Sequence, residues 1–238
     1  MLRRTALLLV TALLAPATAR AQGAILVAIF GERVATERFH FGLRLGATVA
    51  EQTGIDGSAP RMDFNFGMTA NIKLSDRFSL VPEFGPFSRK GVADYPLQPT
   101  GDADLDSLRV DPERSHLSTN YIDIPVLLRF RVAKDWSIGA GPQYSILTGA
   151  HEVVRSSVAP GTGLRTDVEE ELPGEDWAVI GDVAWTLERA MGNKDLRLHL
   201  RYTHGLSDVS PDGVATARYN RTIMFFAELP FIERPAPH

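Results

Sequence analysis

Three groups of residues in this sequence could bind an ion, activate a nucleophile or neutralise one another. The first is an acidic run, Asp102-Ala103-Asp104-Leu105-Asp106, with Glu113 further on. Asp102, Asp104, Asp106 and Glu113 fall at positions 1, 3, 5 and 12 of a calcium loop, where hard oxygen ligands belong. Such loops turn sharply on a glycine at position 6, and here that residue is Ser107; position 8, usually aliphatic, is Arg109. No flanking helices are evident. A solvated acidic loop is the expectation, and calcium is the one cofactor these residues could hold. The second set is His199 with Asp123 and either Ser145 or Ser137, the groups of a hydrolase. A triad is a matter of geometry, and no nucleophile motif accompanies these residues. The expectation is a hydrogen-bonded interior histidine in a protein that is not an enzyme. The third set is a group of charges, Arg44, Lys73, Glu83, Asp123, Arg129, Arg131, Asp182, Arg197, Arg201 and Glu228, joined by Asp63 and Glu188. Each lies in or beside a stretch whose alternate residues are apolar.

Those stretches are the elements that must position the charges. From Phe64, the residues Phe64, Phe66, Met68, Ala70, Ile72 and Leu74 share one face, and Asn65, Gly67, Thr69, Asn71 and Lys73 share the other. Ile122, Ile124, Val126, Leu128, Phe130 and Val132 form an unbroken apolar face opposite Asp123, Pro125, Leu127, Arg129 and Arg131. Alternation of this kind over about ten residues marks strands with one face in lipid. Phe39 to Val49, Phe78 to Arg89, Trp136 to Thr148, Trp177 to Leu187, Leu196 to Leu206 and Tyr219 to Phe231 follow the same rule less purely. Pro82, Pro86, Pro125 and Pro142 lie inside these strands, each deletes a ladder donor, and local bulges are expected there. Phe39, Phe78, Trp136, Trp177 and Tyr219 fall near strand ends, where interfacial aromatic girdles sit.

The connections sort by length. Ser75-Asp76-Arg77, Ala133-Lys134-Asp135 and Met191-Gly192-Asn193-Lys194 are short, whereas 51–61, 90–118, 149–176 and 207–218 are long and polar. Short turns at one end and long loops at the other is how outer-membrane barrels are built, and a soluble barrel has no reason to sort its loops so. The first 21 residues agree with export. Arg3 and Arg4 precede an apolar run from Ala6 to Leu14, and Ala19-Arg20-Ala21 offers a small-x-small cleavage site. That run is too short for a membrane helix, which needs roughly 20 residues. The sequence contains no cysteine, which removes disulfides, thiolate metal sites and a lipoprotein anchor together. Without residues 1–21 the chain holds 22 basic and 29 acidic residues, a balance that argues against nucleic acid as a partner.

The stretch Tyr121-Ile122-Asp123-Ile124-Pro125-Val126-Leu127-Leu128, followed by Gly139-Ala140-Gly141-Pro142-Gln143-Tyr144, resembles the porin-like or PorT-like family of outer-membrane β-barrels. Phe41-Gly42-Leu43-Arg44-Leu45-Gly46 is similar to that family's opening strand, and 67–91, with Leu80, Glu83 and Arg89-Lys90-Gly91, to its second region. The chain departs from the pattern at Gln143-Tyr144, at Pro86 between Phe84 and Phe87, and in the seven residues that follow Phe231. The resemblance covers about 38–231 and implies a fold and a location, with no defined activity for most members.

The expected organisation is a cleaved signal peptide (1–21), an N-terminal segment at the periplasmic mouth (22–37), an outer-membrane barrel (38–231) and a C-terminal tail (232–238). The fold class is all-β, a closed antiparallel up-and-down transmembrane barrel of about eight strands with a short N-terminal helical or irregular segment. A barrel of that size is only wide enough for its own side chains to fill it. The charged set is therefore expected to form a mutually neutralising lumen network, leaving the long loops to serve a structural or partner-binding role. A narrow transport barrel for a small solute or ion is the alternative, and a soluble periplasmic ligand-binding barrel the next. The expected partners are outer-membrane lipid, the barrel-insertion machinery and a protein at the long loops.

Overall fold

The computed structural model describes residues 36, 38–96, 114–155, 163–211 and 213–231. The expected signal peptide, nearly all of the 22–37 segment, the 232–238 tail and the acidic run from Asp102 to Glu113 lie outside the described residues. In chain order the strands are β1 (Phe39–Gln52), β2 (Ala59–Lys73), β3 (Phe78–Pro96), β4 (Arg114–Arg131), β5 (Trp136–Arg155), β6 (Gly163–Asp167), β7 (Glu175–Met191), β8 (Lys194–Gly205) and β9 (Asn220–Pro230). A single 3-10 turn, Glu169–Glu171, is the only helical element among the described residues.

Every pairing is antiparallel. Neighbours in sequence pair with one another except β6 and β7; β7 pairs instead with β5, and β1 pairs with β9, so the sheet closes on itself. Eight strands make the barrel, and β6 adds a ninth only to the far end of β5. Closure matters because an open edge would leave ladder donors and acceptors unpaired in lipid. The apolar faces read from the sequence point outward: Phe64, Leu128, Ile138, Val183, Leu200 and Phe225 are exposed. Their polar alternates Asn65, Thr69, Asn71, Asp123 and Arg129 are buried inside.

Aromatic pairs band the outer surface at two levels. Trp136 stacks on Trp185 at 5.9 Å and Phe78 packs on Phe130 at 4.9 Å near the short turns, while Tyr144 meets Trp177 at 4.8 Å toward the long loops. Along β5, Trp136 and Tyr144 are separated by about 27 Å of strand at the usual rise per residue. Tilted by about 40°, that is roughly 20 Å of bilayer, close to the apolar band of a membrane barrel.

Two features depart from the expected strands. The long connections 90–118 and 149–176 are partly strand. β3, β4 and β5 continue past the outer aromatic level, pair with one another and with β6, and stand out as a small sheet. Outside lipid nothing forces apolar and polar residues to alternate, so the pattern does not reveal these extensions. Only Pro86 coincides with a bulge, in the register shift between Gly85 and Ser88. Pro82, Pro125 and Pro142 keep continuous register with Val126, Gln143 and Val179, and each gives up a single ladder bond.

The register in β4 yields a direct test. Leu128 is outward and 48 % exposed, whereas its neighbour Arg129 is inward and 5 % exposed. Leu128→Arg sets a charge against mid-bilayer lipid at a cost of about 2–4 kcal/mol. It is expected to reduce the folded, fast-migrating band on an unboiled detergent gel strongly, whereas Leu128→Ile leaves that band intact.

Candidate functional site

The interior of the barrel is filled by charge. On β9, Glu228, Phe226, Met224, Thr222 and Asn220 point inward, and each is nearly or fully buried. Around them, Arg44 from β1 lies 3.1 Å from Glu83 of β3, and Arg201 from β8 grips the same carboxylate through two bonds of 2.7 and 2.8 Å. Arg201 also donates to Asp182 of β7 at 3.2 Å, and His199 Nδ1 sits 3.1 Å from that acid. Arg197 and Arg129 reach Glu228 at 3.0 and 3.5 Å. His199 Nε2 is 3.0 Å from Glu228, within ion-pair range though off the angle of a hydrogen bond. The ring of Phe226 is an apolar plate inside this network. It stacks on His199 at 4.4 Å and takes Arg201 and Arg44 over its face at 4.9 and 5.6 Å.

Glycines make the room. A Cβ on Gly46 would meet the backbone of Phe225 and the Cβ of Phe226, and one on Gly67 would stand 2.4 Å from the guanidinium of Arg44. The Phe41–Gly46 stretch thus supplies both a central cation and part of the space that the Phe226 plate needs.

A second layer lies nearer the long loops. Lys90 is bonded to Ser145 and Asp176 at 3.0 and 3.2 Å, pairs with Asp123 at 3.3 Å, and rests on the ring of Tyr121. Asn220 joins Asp176 at 2.9 Å and Gln52 at 3.0 Å. Above it, Ile55, Val92, Tyr95, Leu117, Tyr121, Leu147, Ala150 and Val168 form an apolar cluster, with Leu172 packed against it. The two layers hold five cations, Arg44, Lys90, Arg129, Arg197 and Arg201, against five acids, Glu83, Asp123, Asp176, Asp182 and Glu228. Charges withdrawn from water persist only when paired, and here the numbers match.

Most of the sequence-read set meets in these layers. Lys73 and Arg131 do not: Lys73 pairs with Asp76 in the turn at 2.9 Å, and Arg131 is exposed at the mouth. They occupy the last inward positions of their strands, where the lumen is already open to water. Asp63 pairs with Arg61 and Arg89 at the outer end of β2, and Glu188 with Lys134 at the turn end. The imagined hydrolase set is not assembled. His199 is held by Asp182 and Glu228, whereas Ser145 and Asp123 serve Lys90 one layer up.

Lys90 was hidden by the Pro86 bulge. Val81, Glu83 and Gly85 face inward at odd positions, and beyond the bulge Ser88 and Lys90 face inward at even ones. Simple alternation from Glu83 would have put Arg89 inside and Lys90 in lipid. Asp176 escaped because it lies one residue before the first aromatic of its strand, in what reads as loop. The 207–218 loop is also ordered by its own acid. Asp208 accepts from the backbone N–H groups of Ser210 and Arg218, both at 2.9 Å, and from the Ser210 hydroxyl. These bonds hold its carboxyl below the usual carboxylate range.

Fold and interior together define a closed transmembrane barrel with a filled, charge-paired lumen. The chain belongs to the family described as outer membrane protein beta-barrel domain, whose model matches residues 21–210, and it is an outer-membrane protein. No curated protein matches it. Among solved structures it is similar to Ail, the attachment invasion locus protein of Yersinia pestis, at 10 % identity and TM-score 0.43, covering 82 % of this chain and 99 % of that one. Neisserial surface protein A is similar at 12 % identity and TM-score 0.42, over 79 % and 96 % of the two chains. OprG from Pseudomonas aeruginosa follows at 11 % identity and TM-score 0.40, over 80 % and 92 %. At these values the likeness concerns fold alone.

The pairing predicts unequal costs. Glu83→Gln leaves two buried guanidinium groups short of a counter-charge and is expected to lower unfolding free energy in urea by about 3–5 kcal/mol. Lys134→Ala breaks an exposed pair with Glu188 and is expected to change it by less than about 1 kcal/mol. Similar small losses in both variants would contradict the network's role.

Proposed function

We propose that this protein is a structural or partner-binding barrel of the porin-like or PorT-like type, sealed along its axis and working through its outward loops and projecting sheet. The observation that carries this reading is the continuous filling of the lumen. A charge-paired layer around Glu83, Asp182 and Glu228 is followed by the Lys90 layer and then by the apolar cluster around Leu117 and Tyr121. A solute crossing this interior would have to separate ion pairs and then part an apolar core. The extensions of β3, β4 and β5, widened by β6, supply a hydrogen-bonded sheet that continues past the outer aromatic level. Rigid strands carrying variable loops are a common way to build a binding surface. Catalysis finds no support, because His199 is fully buried and engaged on both sides. In this reading the partners are surrounding lipid, the barrel-insertion machinery and a protein at the long loops.

Transport through a narrow path is the competing reading, and planar-bilayer recording separates the two. The purified full chain is expected to give no steady conductance steps in molar potassium chloride. Regular, reproducible steps would overturn the sealed-barrel reading in favour of transport.

A further inference from the structure

The turn end of the barrel contains a cavity that the sealed lumen does not use. It has a volume of about 100 Å³, room for a tetrahedral oxyanion or a few waters. Lys73, Arg77, Arg129, Arg131, Lys134 and Arg197 line it, against only two acids, Asp76 and Asp135. Lys73 is taken by Asp76, Lys134 by Glu188, and Arg129 and Arg197 share Glu228. Arg77 and Arg131 make no ion-pair contact within 4 Å among the described residues, although Arg131 lies in the field of Asp76.

Three side chains bring buried polar atoms without a hydrogen bond to the same space: His40, Arg129 and, as an acceptor, Asp135 through its Oδ1. His40 is 7 % exposed, and neither of its ring nitrogens has a hydrogen-bond partner among the described residues. Arg129 is 5 % exposed; its Nε has no hydrogen bond, while its Nη2 lies 3.8 Å from Asp182, within ion-pair range. Buried polar atoms are nearly always bonded, so the His40 ring and Arg129 Nε, on residues that line this cavity, call for a partner there. Surplus positive charge and arginine forks select an anion, and their planar geometry suits the paired oxygens of a phosphate. The position of the cavity adds a second argument. Trp136 lines it and is also half of the outer Trp136–Trp185 stack, so the cavity opens at the depth of lipid headgroups.

We propose that this cavity binds a phosphate group at the turn-side mouth of the barrel, with Arg77, Arg131 and Arg129 around it and His40 beneath. The phosphate is that of a phospholipid headgroup in the adjacent leaflet or of a small soluble phosphate. The site goes beyond the sealed-barrel reading and does not depend on it, because it lies at the mouth and needs no path through the lumen.

The test uses the full chain folded in a maltoside micelle, which carries no phosphate. Inorganic phosphate is titrated by calorimetry, and retention of added phosphatidylglycerol is read by native mass spectrometry. The variant Arg77→Gln with Arg131→Gln alters only exposed side chains, and its folding is checked by the gel shift on heating. If the pair fails to assemble, Arg131→Gln alone is read in its place. Binding of phosphate, of phosphatidylglycerol or of both is expected, weakened at least about tenfold in the variant and unchanged in Lys194→Gln at the neighbouring turn. Binding in the calorimetric arm identifies a soluble source, and retention of phosphatidylglycerol alone identifies the lipid. No binding in either arm, or equal binding by wild type and variant, would overturn the proposal.

Discussion

The structure rests on one electrostatic constraint: charges enclosed by an eight-stranded wall have no bulk water to solvate them, so each must find a counter-charge. Taking an ion out of water costs several kcal/mol even after the protein relaxes, and good geometry around an opposite charge is what compensates for it. Glu83 shows the solution in its densest form, held by Arg201 through a two-pronged contact and by Arg44 from the opposite side. Asp182 and Glu228 repeat it with Arg201, Arg129, Arg197 and His199. The partners come from β1, β3, β4, β7, β8 and β9, so these pairs tie together most of the wall. The network is therefore both the filling of the lumen and a set of cross-braces.

The wall is shaped to serve that network. Gly46 and Gly67 leave out side chains where Phe226 and Arg44 need space. The bulge at Pro86 shifts the phase of β3, so that one strand delivers Glu83 to the lower layer and Lys90 to the upper one. Without that shift the same sequence would send Lys90 into lipid. Beyond the membrane the constraint lifts, and the interior turns from paired charge to an apolar cluster. At the other end the wall stops before the charges are matched, which leaves the basic cavity at the turn-side mouth.

How much of this was legible in the sequence follows from the same physics. β2 and β4 were readable residue by residue, because lipid on one side and a polar lumen on the other enforce strict alternation. The charges of the lower layer followed from that alternation, although their pairings did not: no pattern says that Arg201 chooses Glu83 or that His199 chooses Asp182. Lys90 was invisible because a bulge resets the count, and Asp176 because it sits at a strand end. Lys73 and Arg131 read as lumen residues by parity alone, which cannot tell the middle of a strand from its mouth. The outward extensions and β6 carry no period-two signal, since both of their faces lie outside lipid.

Charges packed this densely are expected to act as a coupled unit rather than as separate contacts. A double-mutant cycle on Glu83 and Arg201 tests this most directly, using Glu83→Gln, Arg201→Gln and the pair, each unfolded in urea from lipid vesicles. If the unit is real, the pair loses less stability than the two single losses together, by about 1–3 kcal/mol. Losses that add to within about 0.5 kcal/mol would contradict it and reduce the lumen to independent contacts.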